Sequence, residues 1–401
     1  MRINIIYLSI ISILINSCQG NNSNVKGTSD VSCVQIDLTK AVEDGNVTDL
    51  GKSEITDIAF ADKIEEVKIV SLETNDNSLL YSINDVFFTD NRIIINNKGD
   101  GSAPIKVFDN NGKYIASIKG GNGPSEVAGI FCMTVDYKNK QILAYHPAGI
   151  IYTTLDAEFI KNDKPDWYFL EMAVLDDKLM FKTTENQNPN GYYSDYTIFV
   201  KDRDYNNLYA ALPPRYNKSL MSINTSVARV QEGIAFTKMG IDTVYCYNGE
   251  KVYPMYNLVY SNSIFGGKQP DVEDGMDFID RLTAENGYTY FGFFFEASNT
   301  QYFQLTNLYH REALHVYRNK ETGNIIWNKE TKENGYNTLN TFANVPINTC
   351  GDYFISSLGY EYKSQHLKCL RPFLSPEDLK KVEDMTEDDN PMLILYKFKK
   401  F

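Results

Sequence analysis

Positive charge is what this chain has least of: across 401 residues, 39 Lys and Arg face 52 Asp and Glu, for a formal net charge of −13. That balance repels phosphate backbones, and no Lys/Arg block offsets it, so nucleic acid is excluded as a partner. Histidine is scarce, with His146, His310, His315 and His366 the only four. "HREALH" (310–315) is not the H-E-x-x-H of a zinc helix, and on a strand its two histidines point to opposite faces. The acidic runs "PDVEDGMD" and "MTEDDNP" lack the ligand spacing of a calcium loop. No metal and no cofactor is expected. There is no G-x-S-x-G elbow, no cysteine in a protease setting and no C-x-x-C pair. With no catalytic motif, no catalytic residue is assigned; Asp85 and Asp136, near the predicted inner strands of neighbouring blades, read first as polar turn residues and only second as an acid/base pair.

The N-terminus reads as a processing signal. Met1-Arg2 supplies a positive end and "INIIYLSIISILI" (3–15) an apolar core too short to span a bilayer. "INSC" follows, with a small residue before Cys18, and resembles the bacterial lipobox in which the cysteine carries lipid; Asn16 departs from the usual pattern. Residues 1–17 are therefore assigned to a lipoprotein signal peptide and Cys18 to lipid attachment. Residues 18–60, opening on "QGNNSNVKGTSD", read as a flexible tether, and 61–401 as the folded domain. The other cysteines (Cys33, Cys132, Cys246, Cys350, Cys369) are odd in number and scattered, so they imply no disulfide framework and suit buried small hydrophobes.

What the chain does have is repetition. It is rich in Tyr (28) and Phe (22), which favours strands. "PIKVFDNNGKYIASI" (104–118) reads as strand, Asn-Gly turn, strand. The same shape returns at 149–161, 196–212, 242–256 and 313–327, with turns centred near 110, 156, 203, 248 and 321, at steps of 46, 47, 45 and 73. A period of roughly 45 residues suits a four-stranded propeller blade. The long step holds a predicted helix, "PDVEDGMDFIDRLTAENG" (270–287), and "SPEDLKKVEDM" (375–385) predicts a second, with Ser375 as N-cap and Pro376 at the first position. "DYFISSLGYEY" (352–362) offers the inner strand of a sixth blade, and "PMLILYKFKK" (391–400) should pair with "IEEVKIVSLE" (64–73) to close the ring. The fold class is thus all-β, a six-bladed propeller with two short helical insertions. "GGNGPSEV" (120–127) lacks the lysine of a phosphate loop and reads as a crossing from one blade to the next.

"EEVKIVSLET" (65–74), residues 104–126, "DTVYCYNGEKVYPMY" (242–256) and "NPMLILYKFKK" (390–400) resemble, in order and spacing, the six-bladed propeller lipoproteins of gut anaerobic Gram-negative bacteria, akin to NHL-like and TolB-like propellers. The resemblance covers roughly residues 60–401 and implies an outer-membrane lipoprotein. Gln19, Gly20, Asn21 and Asn22 are neutral, which favours the periplasmic side over the cell surface. The face carrying the second-to-third-strand loops and the blade connections holds the candidate ligand residues: His146, Tyr192, Tyr193, Arg215, Tyr216, His310 and Arg311. Tyrosines there suit sugar stacking or peptide packing, and the cations suit a carboxylate. The expected function is binding of a protein or glycan partner in the cell envelope without catalysis, the membrane being engaged through lipid alone. The alternative is a channel hydrolase or lyase acting on polysaccharide or peptide.

Overall fold

Ile93, Ile94 and Ile95 are consecutive and all fully buried, so this strand is covered on both faces. A β-branched run of that kind needs a sheet stacked on each side. The computed structural model describes residues 33–47, 61–97, 103–183, 196–212, 227–238, 240–266, 275–333, 336–338, 342–343 and 345–401, and it shows that stacking as six small sheets in a ring, a six-bladed β-propeller. Blade 1 is Asp85–Phe88, Ile93–Asn96, Ile105–Phe108 and Tyr114–Ile118. Blade 2 is Cys132–Asp136, Gln141–His146, Gly149–Thr154 and Phe159–Asp163. Blade 3 is Glu171–Leu175, Lys178–Lys182, Ile198–Lys201 and Asn207–Ala211. Blade 4 is Val227–Val230, Gly233–Thr237, Thr243–Tyr247 and Val252–Val259. Blade 5 is Thr289–Glu296, Thr300–Asn307, Glu312–Asn319 and Ile325–Glu333, with Tyr336–Thr338 added outside.

Blade 6 joins the two ends of the domain. Asn348–Cys350, Tyr353–Leu358 and Met392–Phe398 come from the C-terminal part, and Ile64–Val70 supplies the outer strand. The last pairing is antiparallel and places Lys68 opposite Leu395. The core is divided accordingly into interfaces between blades. Ile94 and Val107 of blade 1 pack with Met133 and Ile142 of blade 2, and the ring closes where Leu393 and Leu395 of blade 6 pack with Ile93, Ile95 and Phe108 of blade 1. Fully burying one such side chain stabilises by roughly 1.5–3 kcal/mol, so each interface is a substantial adhesive surface.

Asn390 fastens this closure. Its side chain is buried, accepts from Leu80 N at 2.7 Å, and donates to the carbonyls of Glu73 at 2.9 Å and Ser78 at 3.0 Å. The connection from the outer strand of blade 6 to blade 1 is thereby pinned to the residue that precedes the last strand. Gly112 serves the same junction. At φ +83°, a Cβ there would lie 1.9 Å from the Ser71 carbonyl oxygen, so the Asn-Gly turn is glycine by necessity.

Three sequence expectations change. Val34–Asp37, inside the stretch read as tether, is a fifth strand of blade 4 that pairs in parallel with Val252–Val259, and a helix, Thr39–Val47, follows it. Ile36, Leu38, Ala41 and Val42 are buried there, an apolar pattern too short to register among polar neighbours. The strand within 352–362 is the second of its blade, and the inner strand is the three-residue Asn348–Cys350. Its brevity hid it. The blade 6 insertion also contains a helix, Lys363–Leu370, ahead of the expected Pro376–Asp384, whose Ser375 cap accepts from Asp378 N as the sequence implies. The helix in the long step is Gly275–Ala284, and Phe278 and Leu282 seat it against Phe265 and Phe291. The glycine cluster is a blade-to-blade crossing, with Gly120 bridged to Val127 and Glu126 accepting from Gly123 N.

Candidate functional site: the central channel

The inner strands enclose a cavity of about 1090 Å³, comparable to the larger ligand pockets of proteins. At one end, the first residues of three successive inner strands line it: Asp85, Cys132 and Glu171. Each faces a partner on the second strand of its blade. Asn96 pairs with Asp85 and donates through Nδ2 to Oδ2 at 2.9 Å, while Lys182 pairs with Glu171 at 3.5 Å. Burial raises the Glu171 pKa; the Lys182 charge opposes that and the Asp85 charge adds to it. Burial likewise depresses Lys182, with Glu171 opposing. The Cys132 thiol is pushed well up by burial, so it is a poor nucleophile.

The opposite end carries a guanidinium. Arg229, on the inner strand of blade 4, lies with its guanidinium carbon 5.0 Å from the centroid of the Tyr137 ring and donates to the Val174 carbonyl at 3.4 Å. Among the described residues, no carboxylate lies within ion-pair distance of it. Burial lifts the Tyr137 hydroxyl to about 12, with the Arg229 charge pulling the other way. Glu296, also on the wall, is already satisfied by Lys320 at 2.7 Å and Gln301 at 2.8 Å. Phe87, Phe293 and Phe295 contribute apolar surface to the same cavity.

Around the acidic mouth, the connections that lead into blades 1, 2 and 3 present exposed rings: Tyr81 (78% exposed), Phe131 (55%) and Tyr168 (59%). Phe131 lies 5.2 Å from Tyr145, which stacks on Phe169 at 3.9 Å, so Phe131 is backed by packed rings.

The residues singled out from sequence fare differently. His146 is buried rather than presented on a face: it ends the second strand of blade 2, and the outer strand closes over its tight turn, where a Cβ on Gly149 would meet the Asp163 carbonyl at 2.3 Å. Burial lowers its pKa, and the Asn162 side chain opposes that. His310 and Arg311 are exposed on the turn between the second and third strands of blade 5, with His310 edge-on to Tyr309 at 4.9 Å, but neither lines the channel. Tyr192, Tyr193, Arg215, Tyr216 and Cys18 lie outside the described residues.

Asp85 and Asp136 do not form a pair. Asp85 begins its inner strand and Asp136 ends the next one, where it is fully buried and accepts from Asn139 and from Arg203 of blade 3 at 2.5 Å. Asp136 holds blades together. Glu171, Asn96, Tyr137 and Arg229 were not singled out, although Arg229 is the one charge in its four-residue strand VARV. Among the described residues no disulfide joins the five cysteines, and no helix is long and apolar enough to cross a membrane.

Among solved structures, a Bacteroides fragilis protein described as exported matches with a TM-score of 0.66 at 15% identity, over 92% of this chain and 100% of that one, which shows a shared fold. BamB from Moraxella catarrhalis matches more distantly, with a TM-score of 0.38 at 13% identity, over 73% of this chain and 84% of that one. No curated protein matches the sequence. A family model does match, from residue 34 through 397, and its start coincides with the first residue of the extra strand of blade 4. The chain therefore belongs to the family described as domain of unknown function DUF4934.

Proposed function

We propose that this chain is a binding protein of the cell envelope, tethered by lipid on Cys18 to the outer membrane on its periplasmic side, and that it holds a protein or glycan partner at the channel. The apolar segment 3–15 and the cysteine behind it support export and lipidation, as does a fold shared with a protein described as exported. The observation that carries the binding reading is the wide cavity with Phe131 on its wall and Tyr81 and Tyr168 exposed on the neighbouring blade connections. Exposed aromatics on a rigid scaffold bring large contact area at little conformational cost. The experiment is co-purification from native membranes using wild type and the Phe131→Ala/Tyr168→Ala double variant. A partner retained by wild type and lost by the variant supports the reading; equal retention contradicts it.

A second reading, a channel hydrolase or lyase, is favoured by one observation, that Asp85 and Glu171 face the same mouth. Two carboxyls at one mouth can serve as acid and base. Turnover of a polysaccharide or peptide that Asp85→Asn and Glu171→Gln each abolish would establish it in place of the first.

A further inference from the structure

The charged side chains that line the channel, among the described residues, are Asp85, Glu171, Glu296 and Arg229. Each carboxylate is answered from within the fold. Asp85 accepts from Asn96 at 2.9 Å, Glu171 faces Lys182 at 3.5 Å, and Glu296 holds Lys320 at 2.7 Å. Arg229 is the exception. A guanidinium brings five N–H donors; among the described residues they meet one acceptor, the Val174 carbonyl at 3.4 Å, and no carboxylate. The Tyr137 ring lies 5.0 Å from the guanidinium carbon and anchors the side chain on the cavity wall. The Tyr137 hydroxyl also has no acceptor among the described residues, and with its pKa raised to about 12 it keeps a proton to donate.

Donors without an acceptor on a cavity wall call for an anion, and the surroundings say which kind. One guanidinium balances one negative charge, whereas a phosphate dianion needs further cations, and the remaining charges on these walls are carboxylates. The inner strands on either side of Arg229 bring Ala173 and Val174 from blade 3 and Phe293 and Phe295 from blade 5 to the same cavity. Phe293 and Phe295 flank the fully buried Phe294 in sequence, so strand alternation turns both towards the channel. None of these side chains donates or accepts a hydrogen bond. The hydroxyls of a sugar acid would lose water there without gaining a partner, while an apolar group gains from leaving water.

Resting on the reading of the channel as a binding site, we propose that it holds a monocarboxylate with an apolar body, the carboxylate on Arg229 with the Tyr137 hydroxyl as a second donor, and the body against Ala173, Val174, Phe293 and Phe295. The carboxylate matches the two-pronged geometry of a guanidinium already held in place. The free C-terminus of a peptide ending in an apolar residue carries this chemistry, and so does a small aryl or alkyl carboxylic acid. A neutral glycan leaves Arg229 unmatched.

Ligand-observed NMR titration of the full-length, detergent-solubilised protein tests this with 3-phenylpropanoate, 3-phenylpropanamide, glucuronate, phenyl phosphate, and acetyl-dialanyl-phenylalanine as free acid and as amide. At least one of the apolar acids should bind, its amide should bind about tenfold more weakly or worse, and glucuronate and phenyl phosphate should do no better than the amides. Tighter binding of the peptide acid assigns the carboxylate to a chain end, and tighter binding of phenylpropanoate assigns it to a small acid. Arg229→Gln should erase the preference for acid over amide, and Arg229→Lys, which keeps the charge, should retain part of it. Tyr137→Phe, which keeps the ring, should weaken the acid about threefold and leave the amide unchanged. Thermal melts should show each variant folded. Binding of neither apolar acid, equal binding of acid and amide, a preference for glucuronate or phenyl phosphate, or an acid preference that survives Arg229→Gln overturns the proposal. In co-purification from native membranes, a partner captured equally by wild type and Arg229→Gln overturns it and leaves the binding reading intact; absence of any partner together with absence of acid binding overturns both.

Discussion

Lys68 and Leu395 stand opposite each other in one antiparallel ladder, so the first strand of the ring is hydrogen-bonded to the last. Without that pairing, Met392–Phe398 would present an open sheet edge, and the interface that contains Leu395, Ile95 and Phe108 would lose its outer support. The channel depends on it, because its walls are inner strands held in place only by their neighbours around the ring.

Asn390→Ala should therefore act far beyond its size. It leaves Leu80 N–H and the carbonyls of Glu73 and Ser78 without the amide that joins them. A loss of about 2–4 kcal/mol in denaturant unfolding is expected, with the cooperative transition kept. A change below about 0.5 kcal/mol would show that the junction is held by other contacts.

Asp136 and Asp85 should separate stability from binding. Asp136→Ala removes a buried carboxylate that ties Arg203 and Asn139, and should cost about 2–3 kcal/mol while leaving ligand affinity unchanged in the folded fraction. Asp85→Asn should leave the melting temperature within a few degrees and change affinity. Parallel melts and titrations of the two variants check this, and the reverse pattern would contradict the assignment of roles.

Acid should loosen the blade 6 insertion. His366 is buried in the helix Lys363–Leu370 with neither ring nitrogen hydrogen-bonded, beside the Tyr362 ring, and burial lowers its pKa from 6.5 to about 4. The folded protein favours the neutral ring, so this contribution is complete above the unfolded pKa near 6.5 and is lost as pH falls through that value towards 4. His366→Phe should flatten that part of the stability profile in urea titrations at pH 7, 6, 5 and 4. An unchanged slope would mean that other groups set it.

The proposed lipidation rests on a single thiol. Growth of expressing cells with labelled palmitate should mark the wild-type chain and leave Cys18→Ser unmarked, with the label in the membrane fraction. Label retained by Cys18→Ser would remove the anchor from the account.

The blade plan was legible because each hairpin repeats the same alternation of β-branched and aromatic residues around a polar turn, and because Asn111-Gly112 can only be a turn where φ is positive. Pairing of 64–70 with 392–398 was legible for a simpler reason: both are strong strands with no local partner. The site was less so. Asp85, Cys132 and Glu171 share a register that shows only once the inner strands are aligned, and Asn96 gains its meaning from the strand beside it. His146 is buried where sequence gives loop membership and not what closes over the loop.

The most direct measurement of the central claim is site-specific photocrosslinking in living cells, with benzoylphenylalanine placed at Phe131 on the channel mouth or at Leu208 on the outer strand of blade 3, both of them exposed. The account predicts a discrete crosslinked partner from position 131 and none from position 208. A partner captured at 208 and not at 131 would contradict it.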